Sequence, residues 1–149
     1  MPCLPSVGAL WSQYPSDEDP EAVKKAIGGN VNAAWITNTC TVRLSRALNY
    51  SGAPIRHGMH GMLTVSGGDH KWYGIRVKEM AVYLEKTYGA PSFKATGDLK
   101  SACMGKKGII RFVVNGWSDA TGHFDIWNFG SIRHHEYFAQ ASEVYIWEC

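Results

Sequence analysis

Residues Thr37 to Gly52 read TNTCTVRLSRALNYSG, and the fold and the chemistry of this chain both turn on them. Thr37, Asn38 and Thr39 are helix-capping types, and the run that follows holds no Gly or Pro until Gly52. Cys40, Leu44, Ala47 and Leu48 fall at helical spacing on one side, so the segment is an amphipathic helix laying that side on a sheet. Cys40 then occupies the first turn, where free N–H groups and the helix dipole favour a thiolate. A small buried residue opening a structural helix would sit in the same place, so position alone does not make it a nucleophile.

Working upstream, Asp19-Pro20 caps a short helix, Glu21 to Ile27, that Gly28-Gly29 stops. Downstream, Gly52 to His70 is glycine-rich and loop-like. A third helix is predicted from Tyr73 to Tyr88, with Val77, Met80, Ala81, Leu84 and Tyr88 on one face and Gly89 and Pro91 at its end. Beyond Gly97 the character changes. GIIRFVVNGW (residues 108–117) reads as a buried strand, GHFDIWNF (122–129) and SIRHHEYF (131–138) as the arms of a hairpin, and EVYIW (143–147) as a last strand. Helices first and antiparallel strands second predict an α+β fold with helices on one face of a sheet. No repeat or linker interrupts the 149 residues, which read as one domain, 1–149.

Composition narrows the function. A net charge of +2, with no Lys/Arg stripe, argues against a nucleic-acid partner. No run of about 18 apolar residues is present, so no membrane span is expected. The first twenty residues lack the basic and apolar regions of a cleaved signal, so export by a route that reads none is expected. Cys3, Cys40, Cys103 and Cys149 show no C-x-x-C spacing, which argues against zinc and redox motifs but leaves one bridge among Cys3, Cys103 and Cys149 open. His57 and His60 lie three apart in HGMHGM, yet the glycines oppose a helix and no carboxylate or thiol flanks the pair. A loop lining a cleft fits better than a metal site, and no cofactor is expected. His70 and Trp72 read as surface residues by default, with a substrate rim as the alternative.

His123 gives Cys40 a partner. A helix-start cysteine followed by a strand histidine is the order used by papain-like thiol enzymes. The third group, which orients the imidazole, depends on hairpin register. A three-residue loop, Asn128 to Gly130, would set Trp127 against Ser131, Asp125 against Arg133 and His123 against His135. Asp125 would then be engaged in an ion pair and His135 would be the orienting group; a one-residue shift would bring His134 to that face instead. His135 is preferred, with His134 and Asp125 open.

The strings NTCTVRLSRALNYSGAPI (38–55), YLEKTYGAP (83–91), GKKGIIRF (105–112) and NGWSDATGHFDIWN (115–128) together resemble the type VI secretion amidase effectors of the fourth group, across roughly Trp11 to Trp147. That resemblance implies a papain-like, NlpC-type fold. It also implies cleavage of the D-glutamate–meso-diaminopimelate amide of the peptidoglycan stem peptide, with Cys40 as nucleophile and His123 as base. The family's third residue is usually an aspartate after a Gly-Ser turn; anchoring on Gly130-Ser131 places His135 there, as in NlpC-type relatives. Two cysteines that often flank that position are replaced by Arg133 and Tyr137. The resemblance further implies a toxin delivered by the type VI apparatus, acting in a target cell's periplasm, with a cognate immunity protein. Two other readings are a non-catalytic cell-wall or carbohydrate-binding module and a thiol enzyme cutting the peptide cross-link.

Overall fold

The computed structural model describes residues 2–116 and 122–149. In chain order the elements are α1 (Val7–Gln13), α2 (Pro20–Ile27), α3 (Cys40–Asn49), β1 (Thr64–Ser66), β2 (Trp72–Gly74), α4 (Val77–Tyr88), β3 (Phe93–Ala95), α5 (Leu99–Cys103), β4 (Lys107–Val113), β5 (Gly122–Asn128), β6 (Ser131–Ile132) and β7 (Glu143–Glu148). The last five strands form one antiparallel sheet in the order β3-β7-β4-β5-β6, and β1 pairs with β2 as a separate hairpin.

Alternation along the central strands divides the apolar residues between two faces. Ile109, Phe124, Ile126 and Trp147 meet α1, α3 and α4 through Leu10, Leu44, Leu48, Met80 and Leu84. On the other face Ile110, Phe112, Trp127, Val144 and Ile146 are covered by α5 and by Tyr137 and Phe138. Each fully buried side chain of this size contributes roughly 1.5–3 kcal/mol, so the two faces together anchor the sheet firmly. The expected α+β plan of helices on an antiparallel sheet holds, with α5 and the segment after β6 on the far face.

Helix α3 is more enclosed than its amphipathic stripe predicts. Every residue from Cys40 to Asn49 except Arg46 is buried, and the polar ones are satisfied one by one. Ser45 Oγ donates to the Thr41 carbonyl at 2.7 Å and accepts from Gly74 N at 2.9 Å. Asn49 holds the Trp72 carbonyl and the Ile55 N–H. Arg43 donates to Thr39 Oγ1 and to the carbonyls of Pro15 and Asp17.

Several boundaries differ from the sequence reading. The third helix begins at Val77 rather than Tyr73, because Trp72–Gly74 are taken up by the hairpin with Thr64–Ser66. Tyr73 is buried there in a third cluster with Val23, Ile27 and Ile36. The short elements α1, β3 and α5 carry too few residues to show a period. The four cysteines are free, so none of the bridges left open among Cys3, Cys103 and Cys149 forms. The strand predicted over 108–117 ends at Val113, and Trp117 lies outside the described residues.

The hairpin register departs by one residue. Trp127 pairs with Ile132 and Asn128 with Ser131, leaving Phe129 and Gly130 as a two-residue turn. Both take positive φ, 54° and 116°, the backbone that such a turn requires. The second arm is also far shorter than predicted. Arg133 N–H still bonds the Ile126 carbonyl at 3.0 Å, but the next two N–H groups turn to the Asp125 carboxylate instead of to backbone. A buried side chain thus ends the ladder.

Candidate active site

Because β6 is so short, β5 presents an open edge between Gly122 and Asp125. The N–H and carbonyl of Phe124 point along that edge. The N–H bonds the Cys40 sulfur, and the carbonyl accepts from Tyr14 Oη at 2.8 Å. Helix α3 therefore brings Cys40 to the edge of the sheet rather than over its face, while Leu44 and Leu48 further along the stripe pack on the face.

His123 and Asp125 project from β5 on the same side, since they are two residues apart on a strand. Nε2 of His123 lies 2.7 Å from Oδ2 of Asp125, and the imidazole also hydrogen-bonds the Cys40 sulfur. Asp125 is completely buried, with Oδ1 accepting from Ile126 N and His134 N at 2.8 and 3.1 Å and Oδ2 accepting from His135 N at 3.0 Å. Several donors on a buried carboxylate offset the cost of removing it from water. Tyr137 closes the outer side, its ring 4.9 Å from that of His123 and 4.3 Å from that of His135.

The electrostatics follow from this enclosure. Burial pushes the Cys40 thiol up, but the hydrogen bond and charge of His123, the Phe124 N–H and the Thr41 hydroxyl outweigh it, and the thiol titrates below its ordinary value. Burial likewise disfavours imidazolium at His123. The Asp125 hydrogen bond and the Cys40 sulfur prevail, raising it to about 9. The two shifts are complementary: each partner favours the charged form of the other, which draws the pair toward thiolate and imidazolium. Burial first, then the nearby Asp125 and Cys40, hold Tyr14 well above its ordinary value, so it remains a neutral donor. Cys103 and Cys149 are both pushed by burial to about 11, which separates them chemically from Cys40.

The structure therefore brings Cys40 and His123 together, as the sequence order predicts. The expectation for the third group needs correction. Asp125, not His135, holds the imidazole; His135 reaches the site through its backbone N–H on Asp125. The Asp125–Arg133 pairing does not form either, and the Arg133 guanidinium lies over the Trp11 ring at 5.6 Å. The reason is the register shift, but the better signal was independent of register: alternation alone puts positions 123 and 125 on one face. His134 sits with its ring centroid 6.1 Å from His123, and burial followed by the charge of Arg43 lowers its basicity.

The Cys40 N–H donates to Asn38 Oδ1 at 3.1 Å. No sequence signal marks Tyr14, since nothing local ties the residue that caps the end of α1 to a strand far along the chain. His57 stacks on Trp72 with ring centroids 4.0 Å apart, and His60 tilts against Tyr83. Among the described residues no group of His, Cys, Asp and Glu is arranged to hold a metal, and no helix is long and apolar enough to cross a membrane.

A thiol at a helix start, set against a histidine and an aspartate on one antiparallel strand, is a papain-like arrangement of the NlpC type. The family model described as "Type VI secretion system (T6SS), amidase effector protein 4" (Tae4) matches residues 36–147, and the chain belongs to this family. Among solved structures, the Tae4–Tai4 effector–immunity complex from Enterobacter cloacae is similar at 31% identity and a TM-score of 0.88, covering 97% of this chain and 98% of that one. The corresponding complex from Salmonella Typhimurium is similar at 32% identity and a TM-score of 0.88, covering 97% of each chain. Tae4 from Enterobacter cloacae without its partner is similar at 32% identity and a TM-score of 0.87, covering 97% of this chain and 96% of that one. No curated protein matches the chain.

Proposed function

We propose that this chain is a cysteine amidohydrolase that cuts the D-glutamate–meso-diaminopimelate amide of peptidoglycan stem peptides. The observation that carries the reading is the Cys40–His123–Asp125 relay, with the thiol lowered and the imidazole raised to about 9. The Cys40 thiolate attacks the γ-carbonyl carbon, and the carbonyl π electrons move to oxygen. For the Cys40 N–H to serve that oxyanion, the substrate must displace the Asn38 acceptor. Collapse of the intermediate breaks the C–N bond, and His123 gives its proton to the departing amine. Water, deprotonated by the now neutral His123, then attacks the thioester, releasing the glutamate carboxylate and restoring thiolate and imidazolium. Asp125 acts through His123 as a positioning group. The choice of bond rests on family membership, and the enclosed Cys–His pair supports hydrolysis over mere binding.

The neighbours solved with an immunity protein support a cognate inhibitor for this chain, and family membership supports delivery by a type VI apparatus into a target periplasm. The test is digestion of purified sacculi followed by mass analysis of the muropeptides. New stems ending in D-glutamate, absent with Cys40→Ala, are expected. Fragments cut only at the cross-link would overturn the bond assignment, and cleavage by Cys40→Ala would overturn the nucleophile.

A further inference from the structure

Trp35 is 56% exposed, an unusual position for so large an apolar ring beside a buried site. It lines two cavities. The first, about 230 Å³, contains Asn38, whose side chain holds the Cys40 N–H. The second, about 430 Å³, shares Trp35 with the first and is lined by Asn30, Asn32, Thr64, Ser66 and Trp72. That volume lies within the range of small-molecule sites, roughly 300–1,000 Å³. The second cavity is built rather than incidental. Asn30 Nδ2 donates to Ser66 Oγ at 3.0 Å, Trp72 is backed by the stacked His57 ring, and Gly29 lies so close to Gly67 that a Cβ would meet its carbonyl carbon at 2.6 Å.

Among the described residues, none that lines this second cavity is ionisable. Two aromatic rings with amides and hydroxyls present flat apolar faces beside groups that both donate and accept. Pyranose rings carrying hydroxyl and acetamido groups match that chemistry: their axial C–H faces pack on indole while their polar rims take the hydrogen bonds. The substrate proposed above brings such a partner with it. Stem peptides hang from an amino-sugar chain, and the muramyl carboxyl that links them is an amide, so this glycan is uncharged. Among the described residues, the cavity offers a charged ligand no counter-ion.

We infer that the groove running from Trp35 to Trp72 is a subsite for the uncharged N-acetylated glycan that carries the stem peptide whose amide reaches Cys40. This rests on the amidase reading for its geometry, but binding can be measured apart from cleavage. A peptide-free N-acetylglucosamine–N-acetylmuramic acid disaccharide with its carboxyl amidated is titrated into Cys40→Ala and into Cys40→Ala/Trp35→Ala, following amide shifts by NMR. Shifts at Asn30, Asn32 and the Trp72 indole in the first protein, with affinity at least about tenfold weaker in the second, are expected. Absence of shifts there, or equal affinity in both, overturns the subsite whatever the protein cleaves. In the cleaving protein, Trp35→Ala is expected to lower the ratio of kcat/KM for disaccharide-linked over free stem peptide by about tenfold. An unchanged ratio overturns the subsite and leaves the amidase reading standing.

Discussion

His123 and Asp125, neighbours on one side of a single strand, are joined by a 2.7 Å contact, and the same Asp125 oxygen accepts the His135 N–H at 3.0 Å. One buried carboxylate thus sets the angle of the imidazole and fixes the path of the chain beyond the hairpin. Asp125→Asn keeps one acceptor oxygen of the two: facing His123 it abandons the Ile126 and His134 N–H groups, and turned the other way it abandons the ring together with the His135 N–H. We expect kcat to fall by roughly 10²–10⁴ and stability by about 2 kcal/mol. Steady-state kinetics and urea unfolding check this; loss of stability at full kcat would reject the orienting role.

The pH response follows from the raised imidazole. His123 titrates at about 9 in the folded chain against an ordinary 6.5, so its stabilising contribution is complete below the lower value and lost as pH climbs through the higher one. The alkaline limb of kcat/KM is therefore expected near pH 9. In Cys40→Ala the sulfur's contribution disappears, and an NMR titration is expected to find His123 at lower pH than in the native protein.

Alkylation separates the cysteines. In a Cys3→Ser background at pH 7, iodoacetamide is expected to modify Cys40, while Cys103 and Cys149, both pushed to about 11, stay mostly thiol and react slowly. Peptide mapping of the labelled protein gives the answer, and equal labelling of the three would contradict an activated Cys40.

Asn38→Asp is nearly isosteric and places a carboxylate 3.1 Å from the Cys40 N–H, where Asn38 Oδ1 now lies. The new charge opposes both the thiolate and the oxyanion. We expect the thiol to titrate higher and kcat to drop at least about tenfold, as when an oxyanion donor is compromised, with the melting temperature little altered.

Tyr14→Phe removes the hydroxyl from the Phe124 carbonyl and leaves that acceptor buried without it. A cost of about 1–3 kcal/mol is expected. Since Phe124 N–H also meets the Cys40 sulfur, kcat is expected to fall several-fold, and the two effects are read from denaturant midpoints and initial rates.

Much of this was legible in the chain. The caps before Cys40, its apolar stripe and the run of β-formers from Gly108 onward foretell a helix set on an antiparallel sheet, because burial and period act locally. The Cys40–His123 pair was legible from order and residue type. The orienting group is harder to read, because the preference for His135 over Asp125 depends on a turn: Phe129 adopts a φ of 54°, which a bulky side chain rarely takes, and the ladder shifts with it. Tyr14 and Arg43 carry no local signal because their partners are set by tertiary packing.

Arg43 has a design consequence. Among the described residues no carboxylate pairs with its almost wholly enclosed guanidinium; its NH1 is tied to the carbonyls of Pro15 and Asp17. A minimal fragment cut to the span where the family signature begins, at residue 36, would strip that cation of its wrapping and delete Tyr14 as well. Expression engineers trimming the leading segment would be dismantling the scaffold under the nucleophile, and a dead product would report a broken foundation rather than a missing recognition arm.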